Sequence, residues 1–310
     1  MEPFVIENKE NKENNENNEN KVSTENKENK ENKENNENKV STENKENKEN
    51  KENKENKENK ENICYIDSLL VALFYDKSHI ETLLNKSIND TIIIYLQEYI
   101  KDKFINLIRN NKSVMYDDIE FIRTLCTHIG WKNDIHQDVA KFYAFLMDSF
   151  KIEQIKAQEI LYIKYIQLLL PENQTTVKVT ELLHDWFYKY NNASGTCYIN
   201  NAPEIIGLSI NRFNKGEKNN INVIIQKKLR FNNQDLLNSI KWEFHAAICC
   251  RILPIKGKHY YTLLISKNKW HIFDDLSVPC MYEVKMDDKK VTDMVKTECV
   301  FLLYKLQKFY

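Results

Sequence analysis

Hydrophobic residues are almost absent between Asn8 and Lys60 and arrive as a block from Ile63 onward. In that block Ile66, Leu69, Leu70, Leu73 and Phe74 fall at helical spacing, which predicts an amphipathic helix with one apolar face. From His79 to about Ile129 the pattern stays helical. Ile80, Leu83 and Leu84 make a short apolar face, and Ile92 to Ile108 makes a longer one. Val139, Phe142, Tyr143, Leu146 and Phe150 predict another amphipathic helix over Gln137 to Phe150. Between Glu153 and Asn201 the reading is more helix, with a strand around Thr176 to Val179. At Pro203 the period changes. Pro203 to Phe213, Ile221 to Phe231, Trp242 to Ile252, His259 to Ile265, Trp270 to Asp274 and Cys299 to Tyr304 read as strands. Helices followed by a run of strands predict an α+β domain, with an antiparallel sheet packed on helices.

The polar N-terminal stretch is a repeat of Asn, Lys and Glu, in which Val22-Ser23-Thr24 recurs 18 residues later as Val40-Ser41-Thr42. It has too few apolar side chains to offset the entropy of ordering. Residues 1–56 are therefore expected to be a disordered tail, and residues 57–310 a single domain large enough for a substantial core. Lysines and arginines number 45 against 46 acidic residues, a net charge of −1, so there is no electrostatic case for binding nucleic acid or membrane. No apolar run has the length of a membrane span. The seven cysteines form no CxxC pair. An odd count without a secretion signal predicts free thiols in a reducing compartment, cytoplasmic or nuclear, or in a host cell if the source is viral. Cys249 and Cys250, adjacent in a strand, are expected to pack on opposite faces. His184-Asp185 has no neighbouring cysteine or second histidine at ligand spacing, so no metal site is expected.

Two places carry candidate chemistry. Cys64 stands at the first turn of the first helix, where unpaired N–H groups and the helix dipole favour a thiolate and lower its pKa. The second place is the hairpin His259–Ile265, Ser266–Lys269, Trp270–Asp274. If Ile265 opposes Trp270, Tyr261 faces Asp274 and His259 shares their face. His259 and Asp274 are then diagonal neighbours about 7–8 Å apart at the backbone, within reach of an imidazole–carboxylate bond. On the same parity, Asp275 and His271 point to the other face.

The run Cys64-Tyr65-Ile66-Asp67-Ser68-Leu69-Leu70-Val71-Ala72-Leu73-Phe74 resembles the cysteine box of the ubiquitin-specific proteases, a family of papain-like cysteine peptidases. Gln137-Asp138 with Phe142 and Leu146 is similar to the family's Gln-Asp helix. Arg212-Phe213 resembles the end of its core strand. Lys258-His259-Tyr260 with Trp270-His271-Ile272-Phe273-Asp274-Asp275 resembles its histidine box. The resemblance spans Cys64 to Asp275 in the family's order.

It implies a helical thumb followed by a mostly antiparallel β palm, with fingers short or absent and without zinc. It implies a cysteine-type deubiquitinase, needing no cofactor, that acts as a monomer on conjugates of ubiquitin or a ubiquitin-like protein. Cys64 would be the nucleophile, His259 the base and Asp274 its orienter. Asn59, by family spacing, or Asn62, by closeness to the helix, would serve the oxyanion. Gln137, Asp138 and Tyr260 would bind the ubiquitin tail. The chain departs from the pattern at Glu61 in the lead-in to the cysteine, at Asp67 for an Asn, at Lys141 for a Glu and at Lys258 for a Gly. Asp67 and Lys258 adjoin the chemistry and are in a position to lower activity. A catalytically weak or dead ubiquitin-binding module of the same fold is the alternative.

Overall fold

The structure is a computed structural model. It describes residues 63–110, 112, 114–132, 138–156, 162–191, 199, 201–214, 217–231, 240–254 and 257–307. Asn59, Glu61, Asn62, Gln137 and the N-terminal repeat lie outside the described residues.

Helices come first: α1 (Cys64–Phe74), α2 (Thr91–Tyr99), α3 (Tyr116–His128) and α4 (Val139–Ser149). A 3₁₀ stretch, His79–Asn85, follows α1, and α2 runs on through a π-helical segment, Ile100–Ile105, into Asn106–Arg109. Two more helices, α5 (Val179–Asn191) and α6 (Lys289–Glu298), are interleaved with the strands. The main sheet has eight strands: β1 (Ile166–Leu169), β2 (Ile205–Asn211), β3 (Lys228–Phe231), β4 (Ile240–Leu253), β5 (Gly257–Ser266), β6 (Lys269–Phe273), β7 (Met281–Val284) and β8 (Cys299–Leu306). Its order is β7-β6-β5-β4-β8-β2-β1, with β3 on the early part of β4, and all neighbours are antiparallel except β1 and β2.

The sheet is buried on both faces. Ala246, Ile248, Cys250, Tyr260, Leu264 and Phe273 join one core with α1 to α4. Ala247, Cys249, Tyr261, Leu263 and Ile272 join a second core with Leu182, Leu183 and Phe187 of α5 and Val295 of α6. This is why β4 reads as a nearly continuous apolar run rather than an alternating one, and Cys249 and Cys250 do go to opposite faces.

The first helix differs from the one-faced helix that its spacing predicts. Every residue from Cys64 to Phe74 is buried. The apolar face sits on the sheet, and α4, the π-helical segment and the 3₁₀ stretch cover the rest. Tyr65 packs edge-on against Phe142 of α4 and accepts a hydrogen bond from Trp131 Nε1 at 3.0 Å. Three further bonds fix the axis. Thr262 Oγ1 of β5 donates to Ser68 O at 2.7 Å. At the far end Arg109 donates through Nε to Tyr75 O at 3.0 Å and through Nη2 to Phe74 O. Cations at a helix C-terminus satisfy carbonyls the helix leaves open and match its dipole.

The region between α4 and β2 has the expected strand near Thr176 and less helix than its sequence pattern predicts. It holds a short ribbon, Ile155–Lys156 against Tyr162–Ile163, then β1, a strand at Thr176–Lys178 and α5. The strand β7 and the helix α6 are not predicted by the sequence pattern. Gly207 of β2 explains how α4 lies so close to the sheet. A Cβ there would sit 2.6 Å from the Phe301 ring and 2.9 Å from Tyr143.

Candidate active site

The hairpin forms in the register that the sequence predicts. Thr262 opposes Phe273, Ile265 opposes Trp270 and Ser266 opposes Lys269. Lys267 and Asn268 make the turn with φ of 50° and 63°, the left-handed pair that a two-residue hairpin loop needs. The ladder stops at Phe273, and Asp274 and Asp275 begin a turn. There His259 Nε2 lies 2.8 Å from Asp274 Oδ1, with both side chains buried.

Asp274 has a further partner. Arg251, opposite His259 on β4, donates through Nη2 to Asp274 Oδ2 at 2.5 Å. Asp274 also accepts from Leu276 N–H at 3.1 Å. Burial works to raise the Asp274 pKa. The hydrogen bond and charge of His259, then Arg251 and the Leu276 N–H, outweigh it and hold the carboxyl below its ordinary value. The only sequence signal for Arg251 is parity: a cation two residues before the end of a long strand, alongside a histidine box.

Asp275 corrects part of the parity reading. Strand alternation sends it away from Asp274, but the chain has already turned, and Asp275 Oδ1 lies 3.5 Å from His259 Nε2. One imidazole nitrogen thus faces two carboxylates. His259, Asp274 and Asp275 bring potential metal-ligand atoms within 4.8 Å of one another. The Nε2–Asp274 contact is that of an N–H donating to a carboxylate, and a nitrogen used so has no lone pair for a metal.

Cys64 is the first residue of α1 and keeps 6% of its exposure. No side chain caps the helix. The first-turn N–H groups of Ile66 and Asp67 bond to Ile63 O. The Tyr260 backbone N–H hydrogen-bonds the Cys64 sulfur, so the residue after His259 touches the thiol. The expected low thiol pKa is not found. Burial, then the charges of Asp275 and Asp67, push Cys64 well above its ordinary value, and the Tyr260 N–H only partly opposes them. A helix dipole is a partial charge at a helix end, and burial together with two nearby carboxylates outweighs it.

Asp67 stands one turn after Cys64 and is 1% exposed. Its Oδ1 accepts from Ser68 N–H at 2.7 Å. Burial, then repulsion from Asp275, raises its pKa well above the usual carboxylate range.

Asp138 is the N-cap of α4, its Oδ1 accepting from Ala140 N–H at 2.8 Å. Asp138 and Tyr260, the described tail-binding candidates, line one cleft of about 230 Å³ with Lys141, Arg212, Phe213 and Lys258. Arg212 is 1% exposed and structural. It donates to Cys299 O at 2.6 Å, Ile221 O at 2.8 Å, Asn219 O at 3.0 Å and Lys296 O at 2.5 Å. No described helix is long and apolar enough to cross a membrane.

Comparisons with known proteins follow this geometry. The fold is similar to that of a chain in the SAGA DUB module Ubp8/Sgf11/Sus1/Sgf73 bound to monoubiquitin, with a TM-score of 0.54 and 12% identity over 80% of this chain and 67% of that one. It is similar to a chain of the same module bound to ubiquitin aldehyde, with a TM-score of 0.53 and 13% identity over 80% of this chain and 68% of that one. A yeast SAGA DUB module carrying an Sgf73 mutant gives a TM-score of 0.53 and 12% identity over 80% and 67%. No curated protein matches the sequence. The family model for ubiquitin carboxyl-terminal hydrolase matches residues 55–304. That match takes in the helical half, the sheet and both halves of the candidate site, and the chain belongs to the ubiquitin carboxyl-terminal hydrolase family.

Proposed function

We propose that the protein is a deubiquitinating cysteine protease that cleaves the bond after the C-terminal glycine of ubiquitin with Cys64, His259 and Asp274. The observation that carries this reading is the buried His259–Asp274 bond of 2.8 Å on a strand whose next residue, Tyr260, hydrogen-bonds the Cys64 thiol. With Nε2 donating to Asp274, the imidazole keeps Nδ1 as its basic nitrogen. Asp274 fixes that tautomer and stabilises the imidazolium when it forms. His259 takes the thiol proton as the sulfur attacks the glycine carbonyl, and gives it to the departing lysine amine. Water then attacks the thioester, its proton passes through His259 to the sulfur, and the free carboxylate and thiol are restored.

Because the Cys64 thiol is held neutral by burial and two carboxylates, the base is essential rather than auxiliary. The backbone N–H of Cys64 and a side chain at Asn59 or Asn62 would donate to the oxyanion, each donor worth around 3 kcal/mol.

The same raised thiol favours a second reading, a ubiquitin-binding module with little or no turnover. Hydrolysis of a ubiquitin–fluorophore conjugate separates the two. The enzyme reading expects turnover that Cys64→Ala abolishes while ubiquitin binding persists. Binding without turnover in the unaltered protein would favour the module, and turnover undiminished in Cys64→Ala would require another nucleophile.

A further inference from the structure

The helix that carries the nucleophile and the strand that carries the base run side by side, and the hydrogen bonds between them fall in step. The Tyr260 N–H of β5 bonds the Cys64 sulfur. Two residues along the strand, Thr262 Oγ1 donates at 2.7 Å to Ser68 O, four residues along the helix. Four residues further on the strand, Ser266 Oγ donates at 3.0 Å to Asp76 Oδ1, eight residues past Ser68. Both intervals match two residues of helical segment to one of strand. A helix rises about 1.5 Å per residue and a strand about 3.3 Å, so α1 and β5 advance nearly together, by about 6 Å and about 6.6 Å between the first two rungs. By the same count Leu264 stands against Ala72, and both belong to the first core.

Thr262 is the middle rung and is fully buried. Its acceptor, Ser68 O, lies inside α1, where the helix's own N–H takes one lone pair, so the threonine is a second donor that the helix itself does not require. The other two rungs are weaker anchors. A thiol sulfur is a weak acceptor. Asp76 lies beyond the last residue of α1 and shares its carboxylate with Lys305 Nζ at 3.4 Å. His259 precedes Thr262 by three residues on the same strand, so any slip of α1 along β5 moves the thiol against the base.

We propose that Thr262 is a positioning residue, whose bond to Ser68 O sets where α1 stops along β5 and so holds the Cys64 sulfur in register with His259. The proposal rests on the deubiquitinase reading above for the roles of Cys64 and His259. The effect falls on the chemical step rather than on recognition of ubiquitin, because a misplacement on the order of 1 Å between reacting groups costs about 10²-fold in rate.

The test is a set of substitutions at Thr262 in the full chain. Thr262→Val keeps the shape and removes the donor, whereas Thr262→Ser keeps the donor and removes a buried methyl group. On a ubiquitin–fluorophore conjugate, Thr262→Val should lower kcat by about tenfold or more, with KM within about twofold of the parent. It should slow adduct formation at Cys64 by a ubiquitin C-terminal electrophile in the same proportion. Thr262→Ser should keep kcat within about threefold of the parent while melting at a lower temperature. A threonine that only fills space would give the opposite order, with the serine variant the slower. If the valine variant folds poorly, Thr262→Ser against Thr262→Ala carries the comparison, since the two differ only in the hydroxyl, and the alanine variant should be about tenfold slower. Turnover by Thr262→Val equal to the parent's, or a serine variant as slow as the valine or alanine one, overturns the positioning role and leaves the enzyme reading standing. No turnover and no Cys64 adduct in the unaltered chain overturns the enzyme reading and the positioning role with it.

Discussion

Two buried acids of the candidate site have opposite electrostatic fates. Asp274, at the end of β6, is 3% exposed and its pKa is lowered. Asp67, in the first turn of α1, is 1% exposed and its pKa is raised. Burial acts on both in the same direction. The difference lies in partners. Asp274 has an imidazole at 2.8 Å, a guanidinium at 2.5 Å and a backbone N–H at 3.1 Å. Asp67 has the Ser68 N–H and, instead of a cation, the charges of Asp275 and Asp274. The same residue type is thus held toward its ionised form beside an imidazole in one place and toward its neutral form in the other. The raised thiol of Cys64 belongs to the second environment, because Asp67 and Asp275 act on it as well.

The largest expected effect comes from removing the charge of the first acid. Asp274→Asn keeps the shape but no longer favours the N–H tautomer at Nε2, and should lower kcat by roughly 10³-fold or more, with KM little changed. Steady-state kinetics on a ubiquitin–fluorophore substrate checks it. A loss of less than about fivefold would mean that Asp275, at 3.5 Å from the same nitrogen, takes over the role.

Asp67→Asn should act the other way. The folded pKa of Asp67 lies above its unfolded value, so its contribution to stability is greatest at acid pH. Stability is lost as pH rises from the unfolded value, about 4, through the folded one. The amide has no such slope. The variant should be more stable than the parent at neutral pH by about 1–3 kcal/mol, and the gain should vanish near pH 4. Thermal melts at several pH values measure this directly. The thiol should also titrate at lower pH once one of its repelling carboxylates is gone, which the acid limb of the rate profile would show. For Asp274 the sign is reversed. Its stabilisation is present above the unfolded value and is lost as pH falls through the lower folded one.

The smallest effect is expected at Arg251. Its side chain is about one third exposed, so solvent screens its bond to Asp274. Arg251→Gln should lower kcat by less than about tenfold. A loss as large as that of Asp274→Asn would place the guanidinium on a par with the imidazole and change the account of why Asp274 stays ionised.

How much of this could be read from the sequence follows from the range over which each feature is determined. The His259–Asp274 pair was legible because a two-residue turn fixes register and strand parity does the rest. Ile265 opposite Trp270 decides which carboxylate meets the imidazole. Asp275 was misread because parity applies only while the strand lasts, and this one ends at Phe273. Arg251 comes from a neighbouring strand whose offset no local pattern sets. The burial of α1 on every side was hidden for a similar reason. Tyr65, Val71 and Ala72 look like the outer face of an amphipathic helix until α4 and the segments after α1 are folded over them. The helix start at Cys64 is visible in the sequence, whereas the burial of the thiol, first, and the carboxylates of Asp275 and Asp67 beside it are not. The strand β7 and the helix α6 carry weak patterns, and tertiary packing rather than periodicity decides them.

Labelling by a ubiquitin whose C-terminus carries a thiol-reactive electrophile tests the central claim most directly, since it needs recognition, geometry and a reactive cysteine together. One adduct per chain is expected, mapped by peptide mass spectrometry to Cys64, and slowed strongly in His259→Ala. Binding of the probe without an adduct, or an adduct on any of the other six cysteines that persists in Cys64→Ala, would contradict the assignment of the nucleophile.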